Sequence, residues 1–380
     1  MSCQRRPPVT FAFPKTVALV AVAAVLAQAQ PARAQTPPLA VEEIASGLAH
    51  PWSVEPLDDG SFVVSERPGR LSLIDAEGGV REVSGLPEVY AAGQGGLLDV
   101  ALDPDFADNR VIYFTASISG DGGQGTAVFR ATLDRAAAQL GTVERIFAMN
   151  RFTGTNRHFG SRIAIDEDGN LFFGIGDRGE RDRAQNAGDH AGSILRIRPD
   201  GSVPDDNPYV GESGASAEIW SIGHRNPQGI TIDPATGILY TVEHGARGGD
   251  EINIPEAGAN YGWPEISYGV HYSGAEIGRG THAEGLEQPL YYWDPSIAPG
   301  AIAVYRGEMF PEWDGDFLVT ALKDRLLAHV AVDENGVPTA EHRLFEDRFG
   351  RLRDVKVAPD GAVLLTTDEA NGQLLRVYRP

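Results

Sequence analysis

Cysteine is almost missing from this chain: its 380 residues contain one, Cys3. That excludes an internal disulfide and a multi-thiolate metal site, and leaves no cysteine nucleophile beyond the first residues. Lysine is nearly as scarce, at Lys15, Lys323 and Lys356 only, so a site that needs a compact ammonium has few choices. Basic charge as a whole is in deficit, with 32 Lys and Arg against 53 Asp and Glu and a formal charge of −21. Nucleic acid is thereby excluded as a partner, because phosphate binding requires a basic face. The apolar run from Thr16 to Leu26 falls short of the roughly 20 residues that cross a bilayer. It follows Arg5, Arg6 and Lys15 and precedes Ala32-Arg33-Ala34, the pattern of an export signal over residues 1–34 that is removed before Gln35. A periplasmic or secreted protein without a membrane span is expected, with a disordered mature start over residues 35–40 and a single domain over 41–380.

What the chain does have is turns. Its 45 glycines and 25 prolines punctuate a recurring pattern of an apolar stretch, an Asp/Pro/Gly turn and a run of β-formers. Copies lie at 54–64, 100–115, 163–175, 230–242, 310–320 and 355–366. Their average spacing is near the roughly 40–50 residues of a propeller blade, and no amphipathic helix of useful length interrupts them. The expected fold is all-β, a six-bladed β-propeller, with function carried by the channel and the loops of one face.

Four polar clusters fall outside the blade pattern. Gly93-Gln94-Gly95-Gly96 is a tight turn that presents one amide before a strand. Arg157-His158-Phe159-Gly160 enters a strand, and Gly176-Asp177 follows it, so His158 suits a general base with Asp177 to orient its ring, or is a structural loop histidine. Gly223-His224-Arg225-Asn226 offers a permanently charged arginine that either stabilises a developing oxyanion or joins an inter-blade ion pair. Glu243 to Asn253, leading to Asn260-Tyr261-Gly262-Trp263, supplies hard oxygen donors on a flexible loop, which suits Ca²⁺ better than zinc. Late in the chain stand Lys323-Asp324-Arg325 and Arg351-Leu352-Arg353. With a period of two, Arg351 and Arg353 share a strand face, either aimed at one anionic ligand or as surface charge.

In this order the motifs resemble those of the soluble pyrroloquinoline-quinone (PQQ)-dependent sugar dehydrogenases, the glucose/sorbosone dehydrogenase family with its aldose sugar dehydrogenase branch. The resemblance runs from His50-Pro51-Trp52 to Arg353. It implies oxidation of the C1 hydroxyl of an aldose to a lactone, with His158 as base, Asp177 behind it, and hydride transfer to the quinone C5. It places Arg225 and Asn226 at the quinone and assigns Gln94, Tyr272, Lys323, Asp324, Arg325, Arg351, Leu352 and Arg353 to cofactor binding. It implies one Ca²⁺ at the cofactor, held by the carbonyls of Gly245 and Ala246, and a structural Ca²⁺ at Glu251 and Tyr261. The best-known glucose-oxidising members have proline at Ala246 and aspartate at Arg157, which moves this chain towards the broad-specificity aldose branch. The partners implied are a sugar, an external electron acceptor and, for the protein itself, a monomer or homodimer.

Two other functions suit the same fold. A calcium-dependent propeller lactonase or esterase would need Asn, Asp and Glu ligands in the channel and has no evident use for late cations. A glycan-binding propeller without catalysis would use these loops as scaffolding only.

Overall fold

The computed structural model describes residues 37–380, so the expected export signal lies outside the described residues. Each of the six sequence copies seeds an antiparallel hairpin, because its Asp residues, joined by Gly in all but the second copy, close the turn. In the third copy Asp166 accepts the amide of Asn170 at 2.7 Å, and Gly169 takes a φ of 81° that a residue with Cβ adopts only at a cost.

The hairpins grow into six antiparallel sheets of four principal strands each. The first begins at Pro51–Pro56, the second at Leu97–Leu102, the third at Ile163–Ile165, the fourth at Pro227–Ile232, the fifth at Pro299–Val304 and the sixth at Leu352–Val357. These innermost strands touch one another in turn, and the sixth touches the first, so the sheets form a closed ring around a channel. The ring is sealed by the chain's start: Ala40–Leu48 pairs with Gly372–Tyr378 and supplies the outer strand of the sixth blade.

The core lies between blades rather than at one centre. Between blades one and two, Leu73 meets Phe114 and Phe129, whose rings stack at 5.1 Å; between five and six, Tyr305, Phe310 and Trp313 pack with Leu352 and Leu375. Each such buried side chain contributes roughly 1.5–3 kcal/mol, so successive blades hold each other. Midway, the channel is closed by charge. The Arg162 guanidinium binds Asp99 at 2.8 Å and Asp354 at 2.9 Å and stacks on Trp52 at 4.2 Å, with Lys356 on Glu55 at 2.6 Å beside it.

Two expectations need correction. In the fifth copy, Phe310 to Trp313 is a turn and not a strand; the true first strand, Pro299–Val304, carries no Asp-Gly signal of its own. The segment expected to be disordered is ordered from Pro37, which is buried, while Leu39 packs on the core and Ala40 pairs with Tyr378. Strand pairing with the last residues of the chain fixes it, and sequence-local reasoning has no access to that contact.

Candidate active site

Two sets of loops meet on one face of the ring: those that enter each innermost strand and those that leave each second strand. Nearly every candidate residue sits on one of them, which is why residues hundreds of positions apart converge.

His158 enters the third blade with a φ of 57°, an uncommon conformation outside glycine. The turn is held from both sides. Gln94 Oε1 accepts the His158 amide at 2.6 Å, and a Cβ on Gly176 would lie 2.6 Å from the His158 carbonyl, so only glycine lets the two loops meet. Asp177, on the loop after Leu171–Ile175, binds His158 Nδ1 through Oδ1 at 2.6 Å. The same oxygen accepts the amide of Gly179 at 2.7 Å, and Oδ2 accepts Trp263 Nε1 at 2.9 Å. Trp263 lies on the long insertion of the fourth blade, which climbs beside the third blade through a parallel bridge between Ile222 and Asn260.

Burial pushes the His158 imidazole below its usual range, against the opposing pull of Asp177. Burial also resists charge on Asp177, yet the bonds from His158 and Gly179 outweigh it and hold that carboxyl below the ordinary carboxylate range. The pair is therefore a neutral imidazole on an ionised carboxylate at neutral pH, with the proton on Nδ1 and a lone pair on Nε2.

Arg225 begins the fourth blade. Its Nη1 reaches the carbonyls of His244, at 3.0 Å, and Gly245, its guanidinium lies 5.3 Å from the Trp263 ring, and its buried Nε has no partner. A chain of polar contacts runs on from its neighbour: Gln228 donates to Asn226 Oδ1 at 3.1 Å and accepts from Arg353 Nη1 at 3.0 Å, and Arg353 Nη2 binds Asp368 at 2.8 Å. Asp368 also takes His50 Nδ1 at 2.9 Å and has Arg67 and Arg351 each at 3.8 Å. Burial opposes its charge, but these cations, Arg353 foremost, hold Asp368 far below the usual carboxylate range. His244 completes the wall; it bonds the Pro299 carbonyl at 2.7 Å, and burial pushes it down to about 3, so it is neutral. Arg67, Gln94, Gln228, His244, Arg351, Arg353 and Asp368 line a cavity of about 180 Å³ at the mouth of the channel, floored by Trp52, Leu98 and Phe159, while Arg225 lines a neighbouring void of about 20 Å³ that shares His244 with it. A larger depression of about 860 Å³, between Asp59, Arg81, Asn109 and Asp134, lies among the turns at the other end of the first two blades and contains none of these groups.

The structure separates the remaining expected residues. Arg351 and Arg353 do share a side and both face Asp368. Lys323 is held at the rim by the Ser296 carbonyl, at 2.5 Å, and by Asp324, at 3.2 Å, and Asp324 also pairs with Arg343. Three of the residues expected at the cofactor stand away from the cavity. The Leu352 side chain is fully buried in the apolar core, since alternation turns it away from its two arginines. Arg325, two residues along from Lys323, lies on a tight turn with a φ of 52° and points outward to Asp347. Tyr272 is 76% exposed on the fourth-blade insertion and does not line the cavity.

Of the expected metal ligands, Gly245 and Ala246 lie on the loop that Arg225 grips, and Ala246 is buried. Glu251 and Tyr261 flank a void of about 20 Å³ together with Glu243 and Trp263. Burial first, then Glu243, pushes the Glu251 carboxyl up to about 8. Among the described residues no three His, Cys, Asp or Glu side chains converge as a metal cluster.

Sequence reasoning missed His50, Arg67, His244, Gln228 and Asp368. A signal for several of them exists. Aligning the copies by their second strands puts Arg67, Asp177, His244, Lys323 and Asp368 in the one or two positions after the strand end, in five different blades. A buried chain from Ser221 Oγ to His224 Nε2, at 2.9 Å, and from His224 Nδ1 to Glu243, at 2.9 Å, has the connectivity of a hydrolase triad. Ser221 and His224 are both wholly buried, so no substrate reaches them. The carboxylates Asp99 and Asp354 inside the channel are tied to Arg162, which removes them as ligands for a lactonase metal.

A six-bladed propeller with a histidine–aspartate pair and a cluster of cations on one face is thus a class of enzyme scaffold with its site at the channel mouth. Residues 48–376 match the family model of the glucose/sorbosone dehydrogenases, and the chain belongs to that family. It is 42% identical over 342 residues to aldose sugar dehydrogenase YliI of Escherichia coli K12, covering 89% of this chain and 92% of that one. The crystal structure of the soluble aldose sugar dehydrogenase of Escherichia coli in its apo form superposes with a TM-score of 0.87 at 40% identity, over 90% of this chain and 100% of that one. The PQQ-bound aldose sugar dehydrogenase of Streptomyces coelicolor gives 0.73 at 28% identity, over 90% and 100%.

Proposed function

We propose that this enzyme oxidises the C1 hydroxyl of aldose sugars to lactones, with PQQ as hydride acceptor and Ca²⁺ at the cofactor. The observation that carries the reading is the buried 2.6 Å contact between His158 Nδ1 and Asp177. It fixes the ring and its tautomer and keeps a neutral Nε2 available to take the hydroxyl proton as hydride leaves C1.

The cavity residues fit a planar, multiply anionic cofactor. Arg353 buries its Nε without a partner among the described residues, and Arg351, Arg67 and Gln94 stand around the same space; Arg225, with an Nε likewise buried and unpartnered among those residues, lines the neighbouring void. Arg351 and Arg353, with Lys323 at the rim, would hold the carboxylates; Arg225 and Asn226 would face a carbonyl edge, where the guanidinium stabilises negative charge. Bound there, PQQ supplies a two-electron acceptor, and Ca²⁺ on the Gly245 and Ala246 carbonyls supplies a Lewis acid at its oxygens. Asp177, fixed by Trp263, balances the charge that His158 acquires.

For a second Ca²⁺ the donor set is Glu251 with the Tyr261 carbonyl. It is supported by the void between Glu243 and Glu251, two close carboxylates, and by Asn253 Oδ1, which is buried without a partner. Residues 1–34 read as a cleaved export signal and the rest as one catalytic domain, so we place the enzyme in the periplasm or outside the cell. Among the described residues no helix is long and apolar enough to cross a membrane.

The test is dye-linked oxidation of glucose and other aldoses by the mature protein with PQQ and Ca²⁺, against controls that lack either one. Activity that needs both is expected. No turnover of any sugar and no quinone binding would overturn the reading, and lactone hydrolysis would be assayed next.

A further inference from the structure

We propose that Glu243 is the positioning residue that fixes Arg225 and Asn226, whose bonding partners His244 and Gln228 line the cavity, an inference that rests on the reading of Arg225 as the group facing the quinone. Glu243 ends the second strand of the fourth blade, Leu239–Glu243, and is 4% exposed. Four donors converge on its carboxylate. Oε2 accepts the amides of Arg225 at 2.6 Å and Asn226 at 3.2 Å, and Oε1 faces His224 Nδ1 at 2.9 Å and Asn253 Nδ2 at 3.1 Å. That fills the roughly four acceptor sites a carboxylate has.

Two features set this acid apart from an ordinary buried carboxylate. Its partners include two consecutive backbone amides, both turned to one oxygen, so it fixes the peptide plane between Arg225 and Asn226 and with it the direction in which both side chains leave the chain. The next two residues hold the other end of the same arginine, because the carbonyls of His244 and Gly245 accept from Arg225 Nη1. Three residues in a row thus grip Arg225 at its amide and at its guanidinium. The loop can come this close only because Gly223 has no side chain: a Cβ there would lie 2.2 Å from Asn260 Oδ1. His224 braces the arrangement by stacking on Tyr261 at 4.8 Å.

Glu243 itself does not line the cavity of about 180 Å³. Its effect on catalysis passes through the placement of Arg225, where an error of about 1 Å costs on the order of 100-fold in rate. Glutamine at 243 keeps the volume but leaves one oxygen for two pairs of donors, so one pair faces an NH₂ group instead.

The experiment compares wild type with Glu243→Gln in two arms. Hydrogen exchange of the cofactor-free protein follows the amides of Arg225 and Asn226; reconstitution with PQQ and Ca²⁺ then gives the quinone dissociation constant, and the kcat and KM for glucose. We expect exchange at those two amides at least tenfold faster with the rest of the fourth blade unchanged, kcat per bound quinone lowered about 100-fold, and KM within threefold. Wild-type exchange and wild-type kcat per bound quinone, with only a lower Tm, would overturn the proposal and leave Glu243 a purely structural acid. Should Glu243→Gln fail to fold, Glu243→Asp, which keeps the charge but draws it back by a methylene, is judged by the same criteria. A wild-type protein that binds no quinone would remove the reading of Arg225, and the exchange arm would then decide the positioning by itself.

Discussion

Trp263 donates its indole N–H to Asp177 at 2.9 Å, across 86 residues of sequence. The bond occupies Oδ2 and so leaves Oδ1 for His158, which means that an insertion of the fourth blade sets the base on the third. Trp263→Phe keeps an aromatic side chain and removes this donor together with the five-membered half of the indole. It is expected to lower kcat about threefold to tenfold, in line with the roughly 1 kcal/mol of one hydrogen bond, with the quinone dissociation constant unchanged. Steady-state kinetics beside quinone titration checks it; an equal loss in affinity would show that the tryptophan acts on the cofactor instead.

The pH dependence has a definite sign. Burial lowers the His158 pKa, so the ring stays neutral, and competent as a base, at pH values where a solvent histidine is already protonated. The acid limb of kcat/KM for glucose should therefore fall below about 6.5, the ordinary imidazole value, with activity lost as pH drops through the folded pKa. A limb at or above 6.5 in a buffer series would mean that another group controls it.

Arg353 carries the clamp at its most buried point. Arg353→Ala is expected to weaken PQQ binding roughly 10- to 100-fold, the span of one or two charge-assisted hydrogen bonds, with kcat at saturating quinone reduced far less. Titration of the protein with PQQ followed by absorbance decides between this and a catalytic role, which would appear in kcat.

Calcium should stabilise the fold as well as the cofactor. With Ca²⁺ at a hundredfold excess over its dissociation constant the gain is about 2.7 kcal/mol, seen as a rise of several degrees in Tm. Glu251→Gln should remove most of that rise while leaving the metal-free protein folded. A Tm in the variant that responds to Ca²⁺ as the wild type does would move the structural site elsewhere.

The fold was legible because a propeller repeats its local grammar: six apolar–turn–strand copies each specify their own hairpin, as at Asp166 and Gly169. In the fifth copy the apolar stretch before the turn is not the first strand, which lies upstream at Pro299–Val304 without a turn residue to announce it. At the site, His158 and Asp177 could be paired because 19 residues and one hairpin connect them. Asp368 and His50, 318 residues apart, could not be paired, because their meeting depends on ring closure. Runs such as Lys323-Asp324-Arg325 mislead for a different reason: neighbours in a tight turn face different ways, so one sits at the rim and another at Asp347.

The strand Ala40–Leu48 has a consequence in time. It is among the first parts of the domain to be made, yet its partner, Gly372–Tyr378, is the last. Until then the nascent protein is an open arc with an unpaired strand at one end, the kind of edge on which chains aggregate. No chain that stops short of Gly372–Tyr378 can complete the circle, so the whole domain is a condition for forming the cation-lined mouth, whose Arg353 and Asp368 belong to its last blade.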